Sequence, residues 1–178
     1  MDLSKSIYPP QAKAIVFFLT NQEKLLPEVL PYFEPILGAV EIQSAWYPFT
    51  QSRYYEKEFG SNLKRCLVSF KNIFEPHRLV ELKQLAIEIE RRTTHDARRT
   101  TNIDPGYLDL FKMVLASGKA GGQKVALSHD VYAYTLLRYE KGKWEPFEWT
   151  YPDFKEPTYH PDLLKIRRQL KKELSNRL

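Results

Sequence analysis

KAIVFFLT, Lys13 to Thr20, is a run of β-branched and aromatic residues behind a single lysine. Such a short apolar run suits a central strand. Thr20-x-x-Glu23 then resembles a capping box opening a helix that carries Leu25, Leu26, Val29, Leu30 and Phe33. Pro27 and Pro31 predict that this helix is short or kinked, because a proline inside a helix costs about 3 kcal/mol. Gly38 stops it, and AVEIQSAWY alternates Val40, Ile42 and Trp46 as a half-buried strand does. In PFTQSRYYEKEFG, Thr50 is a candidate cap for a short helix and Gly60 its end. RCLVSF reads as a strand with Cys66, Val68 and Phe70 on one face. Pro76 suits a first helical turn, and Leu79, Leu82, Ala86 and Ile89 follow at helical spacing. A further strand is expected near NIDPGYLDL, Asn102 to Leu110.

This order predicts an α+β fold with a ferredoxin-like split βαβ core. C-terminal hairpins extend its antiparallel sheet: MVLASGK and QKVAL flank Ala120-Gly121-Gly122, and VYAYTLLRY and KWEPF flank Glu140-Lys141-Gly142. The prolines of WTYPDFKEPTYHP predict an irregular arm laid over the body. The closing helix puts Leu163, Ile166, Leu170 and Leu174 on one stripe. One domain is expected over the 178 residues: a tail over 1–12, a core over 13–150, a proline-rich arm over 151–162 and a basic amphipathic helix over 163–178.

No apolar run approaches the length of a membrane span, and MDLSKSIYPP lacks the layout of a secretory signal, so a soluble, cytoplasmic protein without membrane contact is expected. Cys66 is the sole cysteine, which excludes an intrachain disulfide and a thiolate metal cluster. The histidines His77, His95, His129 and His160 lack helical metal-ligand spacing. The net charge of +5 is carried entirely by Leu163 to Leu178, and the preceding residues are neutral. Arg167, Arg168, Lys171 and Lys172 are therefore the candidates for RNA contact, against the plainer reading of a solvated helix face. A second basic cluster is RRTTHDARR, Arg91 to Arg99.

Within NIDPGYL, DPGY has the residues of a type II turn. Three stretches each offer an acid beside rings: Glu58 with Tyr54 and Tyr55, Asp104 with Asn102 and Tyr107, and Asp153 with Trp149 and Tyr151. Brought together, such acids could serve as acid and base or hold a divalent cation, and Lys119 could neutralise a phosphate or carboxylate of a substrate. The simpler alternative is that the rings pack the arm onto the sheet and bond the acids through their polar tips. SGKAGG lacks the glycine spacing and the Ser/Thr of a Walker loop, so no P-loop nucleotide site is expected.

FTQSRYYEKEFG, NIDPGYL and WTYPDF, in this order, resemble an uncharacterised prokaryotic family known as domain of unknown function 4416. The resemblance runs from the first strand to Phe154. It implies motif positions at Phe49, Thr50, Tyr54, Tyr55, Glu58 and Gly60, then Asn102, Asp104, Pro105, Gly106 and Tyr107, then Lys119, and finally Trp149 through Asp153. It implies no known activity. Similar proteins often carry a His-Arg pair after Lys119 where this chain has Gln123-Lys124, so no role for that histidine carries over. The expected function is a carboxylate and aromatic pocket for an anionic or phosphorylated small molecule, with Glu58, Asp104, Lys119 and Asp153 at its centre. The alternative is a non-catalytic RNA- or protein-binding module using the basic helix.

Overall fold

A computed structural model describes residues 11–51, 55–94 and 99–176. Most of the N-terminal tail, Tyr54, His95 and Arg177 lie outside the described residues. The run around Lys13 forms β1 (Ala12–Thr20), every residue of which is buried. It lies between β4 (Lys64–Phe74) and β5 (Thr101–Leu108), antiparallel to both. β2 (Val40–Gln43) pairs the far side of β4, while β6 (Lys112–Ser117) continues beyond β5. β8 (Tyr132–Glu140) follows β6, and β7 (Val125–Ala126) lies outside it. The order is thus β2-β4-β1-β5-β6-β8-β7, with β3 (Tyr47–Pro48) on β4 and β9 (Lys143–Pro146) on β8. Every recorded pairing is antiparallel, in a mixed helix and strand fold with a C-terminal helix.

Period-two alternation divides β1 between two cores. Val16 and Phe18 pack with α1 (Leu26–Leu37) and α3 (Leu79–Arg92), while Ile15 and Phe17 pack with α4 (Pro152–Lys155) and α5 (His160–Ser175). Burying a side chain of this size contributes about 1.5–3 kcal/mol, which makes β1 the most heavily anchored strand. Lys13 is fully buried, and its Nζ meets Glu41 at 3.1 Å, Glu173 at 2.9 Å and the Lys71 carbonyl at 2.8 Å, tying the end of α5 to the sheet.

Several local expectations are corrected. Thr20 is the last residue of β1 rather than a helix cap: its hydroxyl accepts from the Gln22 N–H at 3.0 Å and donates to the Thr100 carbonyl at 2.8 Å. α1 runs twelve residues despite its prolines. Pro27 sits in the first turn, where no donor is needed, and Pro27, Pro31 and Pro35 share the exposed face, where water reaches the carbonyls they strand. The Ala39 to Tyr47 strand is broken into β2 and β3 at Ser44, whose N–H and hydroxyl bond the Leu67 backbone. α2 (Glu56–Phe59) ends at Gly60 with φ of 82°, as expected, but no side-chain cap bond starts it.

The first expected hairpin does not form: β7 crosses to the outer side of β8 and does not pair β6. The second does, with Lys141 and Gly142 both at positive φ in a two-residue turn. The stretch from Trp149 to Pro161 is largely helical instead of irregular. Pro152, Pro157 and Pro161 each occupy a first-turn position, so each proline starts a helical segment: α4, a 3-10 turn at Pro157–Tyr159, and α5. Among the described residues no helix is long and apolar enough to cross a membrane.

Candidate functional site

The site originates in Pro105 and Gly106, which lie inside β5 and make no turn. Pro105 pairs with Val16 of β1. The Ile103 N–H points away from β1, to Glu90 Oε1 at 2.6 Å, and by alternation so does the nitrogen of Pro105. Pro105 therefore costs the ladder with β1 nothing, but it has no donor to offer β6. The β5–β6 ladder ends at the next residue, Gly106, opposite Leu115. A Cβ at Gly106 would lie 2.2 Å from the Val114 carbonyl oxygen, so glycine is what admits β6 this closely. Beyond Pro105 the two strands part, and α3 serves the bare edge of β5: Glu90 takes the Ile103 N–H, and Lys83 donates to its carbonyl at 3.2 Å.

The parting opens a cleft of about 700 Å³ lined from both faces of the sheet. Its floor is Arg65 of β4, which is 4% exposed. The Arg65 guanidinium pairs with Asp153 of α4 and lies 3.7 Å from Asp104 and 4.7 Å from the centre of the Phe49 ring. Burial pulls the Arg65 pKa down, but the two carboxylates more than offset it and hold the group above its ordinary value. Burial pushes Asp153 up while Arg65 pulls it back. Arg65 Nε is buried and has no hydrogen-bond partner among the described residues. Asn102 shares a face of β5 with Asp104, and its amide donates to Asp104 at 2.7 Å.

A second network closes one rim. Arg99 grips Glu58 with a fork of 2.6 and 2.8 Å and reaches Glu90 at 3.0 Å. The hydrogen bonds from Arg99 hold Glu58 below the usual carboxylate range, whereas burial pushes Glu90 above it. Also in the lining, Lys124 Nζ donates to Ser117 Oγ and to the Lys119 carbonyl, both at 2.9 Å, and sits 5.0 Å from the centre of the Tyr134 ring. Burial, and then the charge of Lys119, pull Lys124 below the ordinary lysine value.

Of the residues singled out in the sequence, Asn102, Asp104, Lys119, Tyr55, Tyr151 and Asp153 line this cleft. Glu58 stands behind Arg99 and is not part of the lining. Tyr107 packs on the opposite face with α3, where burial pushes it up to about 12. Trp149 stacks on Phe147 at 4.8 Å and donates to the Thr135 carbonyl, bracing the segment that carries Tyr151. Arg65, Lys83, Glu90 and Lys124 were missed as site residues, while Arg99 was noted only as the end of a basic cluster. Lys83 and Glu90 had a signal: they are seven residues apart on one side of α3, bordering its apolar stripe.

A family model described as "Domain of unknown function (DUF4416)" matches residues 10–170. The chain belongs to this family. The match to domain of unknown function 4416 includes every lining residue of the cleft. No curated protein and no solved structure matches the chain. Among the described residues no group of three His, Cys, Asp or Glu side chains is placed to hold a metal ion.

Proposed function

We propose that the cleft binds an anionic or phosphorylated small molecule, with Lys119 and Lys124 as its anion contacts. The observation that carries this is the charge balance of the lining, which has five cations (Arg65, Lys83, Arg99, Lys119, Lys124) and three acids (Glu90, Asp104, Asp153). The arginines are taken up by carboxylates, Arg65 by Asp153 and Asp104, and Arg99 by Glu58 and Glu90. Lys124 meets only the Ser117 hydroxyl, the Lys119 carbonyl and the Tyr134 ring, with no acid at its ammonium among the described residues. Burial and the charge of Lys119 depress the Lys124 pKa, and the attraction of a bound anion offsets both. Lys124 has three donors and among the described residues uses two, so a third is available to a ligand.

In this reading Asp104 and Lys119 touch the ligand, while Asp153 and Glu58 position Arg65 and Arg99. It needs no divalent cation. The core is read as a ferredoxin-like split βαβ unit, supported by the order β2-β4-β1-β5 with α1 and α3 as the crossovers. A cytoplasmic location suits a chain whose one cysteine is a buried thiol.

Calorimetric titration with pyrophosphate tests the site. The intact chain should bind, and Lys119→Met/Lys124→Met should lose about tenfold or more in affinity, as expected for charge-assisted bonds of about 1.5–3 kcal/mol. Equal affinity for both proteins rules the site out.

A second reading, RNA contact through α5, is favoured by Arg168, Lys171 and Lys172, which are exposed and have no acid partner among the described residues. Arg167 is engaged internally, donating to the Leu110 carbonyl at 2.9 Å with its guanidinium 3.5 Å from the centre of the Tyr139 ring. Substituting the three exposed cations by glutamine should weaken RNA binding and flatten its salt dependence. Unchanged binding excludes the helix.

A further inference from the structure

Resting on the anion site proposed above, we infer that the ligand is a polyol phosphate, a sugar phosphate in the simplest case, whose hydroxyls are bound by Asn102 and Asp104. Two kinds of polar group line the cleft: the lysines Lys119 and Lys124, and the acceptors Asn102 and Asp104, which lie on one face of β5. Asp104 is the more loosely held of the two carboxylates at Arg65. Asp153 holds the tight contact, whereas Asp104 stands 3.7 Å from the guanidinium, is 25% exposed and, among the described residues, accepts one hydrogen bond, from Asn102. A carboxylate has about four lone-pair sites, so Asp104 retains capacity for further donors. The Asn102 side-chain oxygen also remains an acceptor, since the amide uses its nitrogen towards Asp104. The pair thus presents adjoining acceptors linked at 2.7 Å.

The complementary group must donate without adding positive charge. Asp104 already feels Arg65, and the lining carries more cations than acids, so an ammonium placed there would be repelled by the cleft as a whole. Neighbouring hydroxyls donate, carry no charge and suit adjoining acceptors. Tyr55, Tyr134 and Tyr151 also line the cleft and add aromatic surface of the kind on which the C–H groups of a sugar pack. A volume of about 700 Å³ accommodates a sugar with its phosphate and some water.

Equilibrium titrations of the full chain with three probes test the inference: inorganic phosphate, ribose 5-phosphate and O-phosphoethanolamine. Ribose 5-phosphate should bind at least about tenfold tighter than phosphate, the effect of one good hydrogen bond to an ionised group. O-Phosphoethanolamine should gain nothing over phosphate. Asp104→Asn and, independently, Asn102→Ala should each lower the ratio of ribose 5-phosphate to phosphate affinity, both measured on the same variant. The comparison of the three probes on the unaltered chain stands even if a variant fails to fold. Phosphate binding without a ribose 5-phosphate advantage overturns the polyol inference and leaves the anion site intact. Tighter binding of O-phosphoethanolamine than of ribose 5-phosphate also overturns it. Binding of none of the three overturns the anion site itself, and the inference with it.

Discussion

Asp153→Ala removes the closest partner of a guanidinium that is 4% exposed, so it tests whether the Arg65 pair supports both the fold and the floor of the cleft. Breaking one side of a buried pair costs about 3–5 kcal/mol, because the surviving charge stays desolvated. Asp104 at 3.7 Å and the Phe49 and Phe154 rings at 4.7 and 5.3 Å remain to stabilise Arg65, which places the loss at the lower end of that range. For a chain of this size each kcal/mol moves the melting temperature by about 2–4 °C, so the variant should melt roughly 6–12 °C below the parent. Circular dichroism melts measure this directly. Arg65→Met/Asp153→Leu, which removes both charges and keeps apolar volume, should lose less than Asp153→Ala alone. A single variant that melts within about 2 °C of the parent, or a double variant that is worse than the single, refutes the reasoning.

Three other outcomes follow from the same geometry. Gly106→Ala should lower stability by about 1–3 kcal/mol in urea titrations, since β6 must retreat from a Cβ, and an unchanged midpoint would mean that the strands do not meet there. Pyrophosphate affinity should be full below the depressed Lys124 pKa and fall as pH rises through it, ahead of the ordinary lysine value of 10.5. Lys124→Arg keeps its charge across that window and should flatten the profile, whereas identical profiles for the two proteins contradict a role for this lysine. The Cys66 thiol is buried and pushed up to about 11 by burial, so thiol reagents at pH 8 should modify it only after denaturation, and prompt labelling of the native protein would show it to be accessible.

The strands and helices that bury an apolar face were legible from the residues, because periodicity reports burial. β1 and α3 follow their patterns closely, whereas β4 runs four residues beyond RCLVSF, to Phe74, and α5 starts three residues early, at His160. What local pattern misread was proline and glycine. Pro-Gly in NIDPGYL is good turn chemistry in isolation, but between β1 and β6 the same pair ends one ladder and admits a close backbone. The prolines after Trp149 looked like breakers, yet each begins a helical segment, where a missing N–H costs nothing. The site was half legible. Asp104 and Asp153 stood out beside their rings, and they do line one cleft, but the group between them is Arg65. That arginine sits in a strand otherwise read as core, and only the meeting of β4, β5 and α4 gives it two carboxylates.

The most direct test of anion binding between Lys119 and Lys124 is to map amide chemical shifts during a pyrophosphate titration. The shifts should concentrate on Ser117 to Ala120 and Lys124, with Asn102 and Asp104 responding as well. Shifts confined to Arg168, Lys171 and Lys172 on α5, or none at all, would contradict it.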